Sequence, residues 1–424
     1  MLNNITNFFN LIATRKIKTI TNDSDLLPLG TRDPRYTGCY QPTAILACDL
    51  INQVITCVPT GIMVLGTGCC STVRCGNSNI ASGSNSTVSG GRANTASNCS
   101  DFSTVSGGYN NTASGVMSTV SGGVNNTASS VYSTVSGGKS NIASCIYSTV
   151  GGGCGNTASG FSSTISGGYR NIASTNNSTI GGGLCNTASG VYSTVSGGRN
   201  NTSSGYYSTV SGGYRNIASN QWSTISGGKF NTASACYSIV SGGICNTASG
   251  YNSTISGGRN NTASGQRSTV SGGGQNTASC IYSIVSGGAN NIASCNYSTI
   301  SGGGQNNASN YYSTIGGGYA NTASSNYSTV SGGYCNTASN CYSTVGGGKR
   351  NIASAYSSAI LGGVCNNTST FACSMIVGSN ITATRTCTTF VNNLNIMSIP
   401  TSNAGLPTKS VWFDNTTCTL KMVP

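Results

Sequence analysis

A period of fifteen residues constrains this chain more than anything else in it. Aligned on Ser-Thr-Val-Ser-Gly-Gly, successive units begin at Ser71, Ser86, Ser103, Ser118 and so on to Ser358, twenty in all, with two extra residues near Cys99 to Phe102 as the one break in spacing. Such a period marks a stack of small supersecondary units, each burying its apolar face against its neighbours. Position 3 of the unit is Val or Ile throughout, from Val73 to Ile360. Position 9 is always Asn, position 12 always Ser, and position 11 is Ala except at Ser203 and Thr368. Positions 5 and 6 are Gly-Gly except in the first unit, which has Cys75-Gly76. Positions 7, 8, 13 and 14 vary widely and read as surface corners.

A unit this short, with Gly-Gly in nearly every copy, disfavours helix and suits one coil of a β-solenoid with two short strands. Ser-Thr-Val-Ser forms one strand and Asn-Thr-Ala-Ser the other, and Gly-Gly supplies a corner with positive φ. Alternation places Val or Ile of position 3 and Ala of position 11 on the inward face. The Asn of position 9 has two readings: a ladder of amides stacked from coil to coil, or a turn residue tolerant of the left-handed region. The fold class expected is therefore all-β, a parallel β-roll or β-solenoid of twenty coils. One Val and one Ala per coil bury little apolar surface against the entropy of ordering fifteen residues. A homotrimer is the expected remedy, with Ile or Thr of position 10 (Ile80, Ile142, Ile172, Ile217, Ile292, Ile352) and Tyr of position 15 facing sister chains.

The chemistry that such a chain can carry is limited by its side chains. Six acids occur in 424 residues (Asp23, Asp25, Asp33, Asp49, Asp101, Asp414), with no Glu and no His, and none lies between 102 and 413. Paired carboxylates for glycoside hydrolysis and an imidazole for a triad are thus missing from most of the chain. No enzyme, no cofactor and no metal site is expected.

Groups that would bind something lie in register. Arg92, Lys139, Arg170, Arg199, Arg215, Lys229, Arg259, Lys349 and Arg350 all fall at positions 7 or 8, so stacked coils would line them along a ridge. A basic ridge without nearby acids attracts anionic polysaccharide; alternatively, its charges simply keep a Ser/Thr/Asn surface soluble. Nucleic acid is the least favoured partner, because the charges are sparse. Tyr282, Tyr297, Tyr312, Tyr327 and Tyr342 occupy position 15 in five consecutive units, with Tyr132/Tyr147, Tyr192/Tyr207 and Trp222 in the same place. This ladder reads either as a carbohydrate-stacking strip or as aromatic packing at a corner or between subunits. Cys280 and Cys295 share position 13 of adjacent coils, within reach of a disulfide. Cys39, Cys48, Cys57, Cys69, Cys70 and Cys75 form the expected N-terminal disulfide framework. Sequons at Asn110, Asn125, Asn200 and Asn260 follow from the composition and say little about glycosylation.

The unit as it stands at Asn186 to Gly198, Asn-Thr-Ala-Ser-Gly-Val-Tyr-Ser-Thr-Val-Ser-Gly-Gly, resembles the YadA-like head repeat of trimeric autotransporter adhesins over residues 71 to about 384. That resemblance implies a left-handed parallel β-roll in a trimer. Neither the secretory signal nor the membrane-embedded barrel of those adhesins is recognised here. The first basic residue, Arg15, follows the apolar N-terminal stretch, an order that argues against a signal peptide. Ile45 to Leu65 is interrupted by Asp49, Asn52, Gln53 and Pro59, so no membrane span is expected and the segment reads as strands capping the roll. At the other end, Ile399-Pro400-Thr401-Ser402, Gly405-Leu406-Pro407, Trp412, Asp414 and Leu420-Lys421 resemble the short C-terminal module of phage and large-DNA-virus fibre proteins, which implies a non-catalytic cap or trimerisation foot. The expected organisation is an N-terminal anchoring or capping region at 1–70, a repeat shaft at 71–384 and a C-terminal cap or trimerisation module at 385–424. Together these readings point to a trimeric fibre or spike on a virion surface, held to capsid or other virion proteins through its N-terminal region and touching host glycans. A cell-surface adhesin is the alternative.

Overall fold

The computed structural model describes residues 63–74, 77–97, 101–393, 400–402, 404–408, 410–414 and 419–422. The chain divides into two compact units, Met1–Tyr214 and Arg215–Pro424, and the same rules build each. In the first, Thr72–Arg74 pairs parallel with Thr87–Val88, and the ladder continues one repeat at a time through Thr104–Val105 to Thr209–Val210. A second ladder runs from Ile80–Ala81 through Thr95–Ala96 to Thr202–Ser203. The second unit repeats both, from Ile217–Ala218 and Thr224–Ile225 onward. Each coil is thus one turn of a parallel β-solenoid, and the expected all-β class holds. Position 7, expected to be corner alone, forms a third, one-residue ladder: Arg92, Tyr109, Val124, Lys139 and Cys154 bridge in sequence.

The stacks have distinct ends. Met63–Leu65 runs antiparallel to Thr72–Arg74 beside the first coil; the rest of the segment from Ile45 lies outside the described residues. In the second unit the coils continue past the last repeat, with Ala359–Ile360 pairing to Met375–Val377 and that strand to Thr389–Val391. Val411–Asp414 and Thr419–Met422 form an antiparallel hairpin. Among the described residues no helix is long and apolar enough to cross a membrane.

All odd strand positions turn inward, which makes the core half polar. Val120 and Ala128 are fully buried, as expected, but so are Ser118 and Asn126 of the same coil, and the pattern repeats along the chain. Buried polar groups of this density persist only if satisfied, and the asparagine satisfies itself through its neighbours. Asn126 Nδ2 donates to Gly122 O at 2.8 Å and to Gly138 O of the next coil at 2.9 Å, while its Oδ1 accepts the backbone N–H of Asn141 at 3.0 Å. The ladder reading of position 9 is therefore the right one, although the amides bond to backbone and not to each other. The serine of position 1 closes the other corner: Ser133 Oγ donates to Ser130 O at 2.6 Å and accepts from Ser130 N–H at 3.1 Å. Where Ala of position 11 becomes Ser203, its hydroxyl bonds Ser208 Oγ at 2.7 Å, so an added buried oxygen comes with a partner.

The left-handed residues sit at positions 8 and 15 of each coil and not at the asparagine. Asn110, Asn125 and Arg170 (position 8) and Met117, Tyr132 and Tyr147 (position 15) have φ between 51° and 59°. These are not glycines, and each pays about 1 kcal/mol or more for the conformation. The Gly of position 6 is demanded for another reason: a Cβ on Gly123, whose φ is 90°, would lie 2.1 Å from Gly138 O of the next coil. The preceding Gly122 faces open space.

Candidate functional site: the two corners

The αL residues put two side-chain files on the surface of each unit. At the corner of positions 7 and 8, bridge pairing holds successive position-7 residues in strict register, so the basic residues form a file. In the first unit it carries Arg92, Lys139, Arg170 and Arg199, and in the second Arg215, Lys229, Arg259, Lys349 and Arg350; all are exposed. No carboxylate occurs anywhere from 102 to 413, so the repeats beyond Asp101 offer these cations no acid partner.

Aromatic rings are interleaved with the cations, which the sequence pattern alone did not bring out. The Arg92 guanidinium lies 5.7 Å from the Tyr109 ring centre in the next coil, and Arg199 lies 5.6 Å from Tyr214. Arg170 packs on its own neighbour Tyr169 at 5.0 Å. In the second unit Arg215 and Lys229 both approach Phe230, at 5.7 and 4.9 Å, and Lys349 lies 5.7 Å from Tyr334, itself stacked on Tyr319. A cation over an aromatic face is drawn to the ring quadrupole and loses some rotamer freedom while its charge stays exposed. The signal in sequence was present as Tyr109, Tyr169, Tyr214 and Tyr334 at position 7, one coil or one residue from a base.

The corner of positions 14 and 15 is different. Tyr282, Tyr297, Tyr312, Tyr327 and Tyr342 stack face to face, with successive ring centres 5.3, 4.7, 5.2 and 5.1 Å apart and planes within 12° of parallel. Tyr132–Tyr147 and Tyr192–Tyr207 stack in the same way in the first unit, as do Trp222 and Tyr237 in the second. Position 14 adds edge-on rings: Tyr206 against Tyr207 and Tyr311 against Tyr312. The Tyr312 hydroxyl, hydrogen-bonded to Tyr311, pushes the Tyr311 ionisation above its ordinary value, and Tyr206 does the same to Tyr207. Arg267 ends the long ladder, its guanidinium 5.2 Å from the Tyr282 ring and hydrogen-bonded to the Tyr282 hydroxyl. The five ladder tyrosines are 36 to 52% exposed.

The cysteines divide otherwise than expected. Cys280 and Cys295 are free thiols: Cys280 Sγ turns to the Ser294 carbonyl, 2.9 Å away, so register alone does not join two residues at position 13. Burial, then the Cys295 thiol, holds the Cys280 ionisation above its ordinary value. Cys69 and Cys70 are disulfide-bonded, though not to each other, their sulfurs being 3.9 Å apart; Cys39, Cys48, Cys57 and Cys75 lie outside the described residues. Of the sequon asparagines, Asn110 donates its amide to Asn125 Oδ1 at 2.9 Å along the position-8 file.

No curated protein matches the chain. The family model of the ubiquitous surface protein adhesin repeat matches residues 103–115, which form a single coil of the stack from Ser103 to the corner at Gly115. The chain is accordingly a parallel β-solenoid in which one coil is similar to a surface-adhesin repeat.

Proposed function

We propose that this chain is the shaft of a non-enzymatic, trimeric attachment fibre that meets anionic glycans through the cation and aromatic file of positions 7 and 8. The observation that carries this reading is the file itself: exposed bases held in register on tyrosines, on a solenoid of adhesin-type repeats, with no acid in the repeats beyond Asp101. Such a surface attracts polyanions through its summed field, and planar rings beside the cations suit the apolar faces of sugars. The outward Ile residues of position 10, 38 to 49% exposed in Ile80, Ile142, Ile172, Ile217, Ile292 and Ile352, supply an apolar face for sister chains.

We place the fibre on a virion, bound to capsid or other particle proteins through residues 1–70; the resemblance of the C-terminal segment to viral fibre modules supports this. A cell-surface adhesin is the second reading, favoured by the family match at 103–115. Immunogold labelling of purified particles separates them, since label absent from particles and present on cells leaves only the second. Sedimentation of the intact chain checks the trimer, which a well-folded monomer refutes. Retention on immobilised heparin, eluted by salt, checks the glycan contact. Passage through the column at low ionic strength removes that part of the proposal.

A further inference from the structure

Two cysteines outside position 13 also share a register position in adjacent coils. Cys373 and Cys387 are exposed free thiols in successive coils, both in the left-handed region at φ 54° and 50°. The strands that follow them pair in register, Met375 opposite Thr389, so two residues earlier Cys373 lies opposite Cys387. Their backbones use the bonding of the aromatic corner: Cys373 N–H donates to Tyr356 O at 2.9 Å and Cys387 N–H to Ala372 O at 3.0 Å, as Tyr327 N–H does to Tyr311 O. At that corner side chains of adjacent coils stand face to face, as the tyrosine stacks show. Other thiols turn elsewhere: Cys236 to Asn220 Oδ1, Cys280 to Ser294 O, and Cys341 to Ser325 Oγ.

We propose that Cys373 and Cys387 close to a disulfide that clasps the last two coils of the stack. A strand spacing of about 4.8 Å falls inside the Cα separation that a disulfide spans. The position gives the bond a purpose. Thr389–Val391 is the last rung of its ladder among the described residues and pairs on one side only, with Met375–Val377, and a terminal repeat with one neighbour is the first to fray. Disulfide-bonded cysteines, Cys69 and Cys70, already precede the first coil of the other unit.

A small-molecule disulfide such as glutathione disulfide completes the chemistry. One protein thiolate attacks it, forming a mixed disulfide and releasing one glutathione thiolate; the second protein thiolate then attacks the protein sulfur of that mixed disulfide, forming the Cys373–Cys387 bond and expelling the second glutathione. The protein loses two electrons and two protons, which leave as two glutathione thiols. Partial burial and the neighbouring Cys387 raise the Cys373 ionisation, so closure quickens as pH rises. The clasp requires oxidising surroundings and is independent of what the fibre binds.

Trypsin makes the test direct. Arg350, Arg385 and Lys409 bracket two peptides, 351–385 with Cys365 and Cys373, and 386–409 with Cys387 as its single cysteine. The folded chain is exposed to glutathione disulfide, alkylated, digested and mapped without reduction. The expected product joins the two peptides with fragment ions placing the bond at Cys373; it disappears in Cys373→Ser and in Cys387→Ser, its yield falls when oxidation is done in denaturant, and amide exchange over 387–391 slows when it forms. Alkylation of Cys373 and Cys387 as complete as that of exposed Cys245 after the same exposure overturns the proposal, as does a bond that falls on Cys365.

Discussion

The two corners of a coil share a backbone solution and differ in what it requires of the sequence. Both turn on a left-handed residue that is not glycine, and both are held by hydrogen bonds to adjacent coils: Asn125 N–H to Tyr109 O at 2.9 Å at one corner, Tyr132 N–H to Val116 O at 2.9 Å at the other. The corner of positions 7 and 8 is entered through a glycine whose missing Cβ makes room for the next coil, and through the asparagine that bonds the glycine carbonyls. The corner of positions 14 and 15 accepts Ser130, Cys145, Thr175, Asn220 or Ala235 at its entrance, because the hydroxyl of the serine three residues on bonds the backbone carbonyl of each. One corner is specified by its neighbours in the stack, the other by its own turn, and both leave their outermost side chains free for the surface.

Alanine at the two glycines of the first corner tests this most severely. Gly123→Ala drives a methyl to within 2.1 Å of a backbone oxygen at a φ of 90°, and we expect a loss above ~3 kcal/mol in chemical unfolding, at the upper end of what single substitutions cost. Gly197→Ala, at position 5 in another coil of the unit, meets no atom within 4 Å and has no left-handed φ, and should cost less than ~1 kcal/mol. Equal effects would mean that the corner is not set by the approach of the next coil.

The asparagines give the next largest difference. Asn126→Ala strands the Gly122 carbonyl and the Asn141 N–H and takes one of two donors from the Gly138 carbonyl, which keeps the Val124 N–H at 2.8 Å, so a loss of about 2 kcal/mol is expected, chiefly from the two unpaired groups. The adjacent Asn125→Gly, at the exposed left-handed position, should change stability by ~0.5 kcal/mol or less. A cost for Asn126→Ala as small as that would return position 9 to an ordinary turn residue.

How much of this was legible follows from where each constraint resides. Val73 and Ala81 announce an inward face because apolar residues recur at fixed positions with strand alternation. Ser and Asn at equally fixed positions also face inward, but polar residues read as exposed until their bonds to adjacent coils are seen. The left-handed residues were hidden in the most variable positions, since any side chain that tolerates solvent serves there once neighbouring coils hold the backbone. The cation and aromatic file was half visible: Arg199 and Tyr214 share position 7 one coil apart, yet their contact depends on side-chain direction. The same limit applies to Cys280 and Cys295, which share a register position while the Cys280 sulfur points to a carbonyl.

Binding separates the corners by chemistry. Replacing Lys139, Arg170 and Arg199 by Gln should lower the salt needed to elute the chain from heparin, because these charges are exposed and their attraction is screened over about a Debye length. Tyr192→Ser with Tyr207→Ser, at the other corner of the same unit, should leave elution unchanged. If the tyrosine pair shifts elution as much as the three cations, polyanion contact belongs to the aromatic corner or to both.

The smallest expected effect lies within the aromatic corner. Tyr311 titrates above the ordinary tyrosine value, chiefly because its hydroxyl is hydrogen-bonded to Tyr312 and then because it is partly desolvated; Tyr207 does so beside Tyr206. A group whose ionisation is raised on folding favours the folded state fully below its unfolded value near 10 and loses that contribution as pH rises through the folded value. Stability should therefore decline more steeply above pH ~10 in the parent chain than in Tyr311→Phe, which has no proton to lose at that site. Both groups are exposed, so the difference is small and best read as the change in unfolding midpoint between pH ~9 and ~11. Tyr207→Phe should repeat it in the other unit. Identical alkaline limbs in parent and variants would show that the edge-on tyrosines pack by their rings alone, and that their hydroxyls add nothing to the corner.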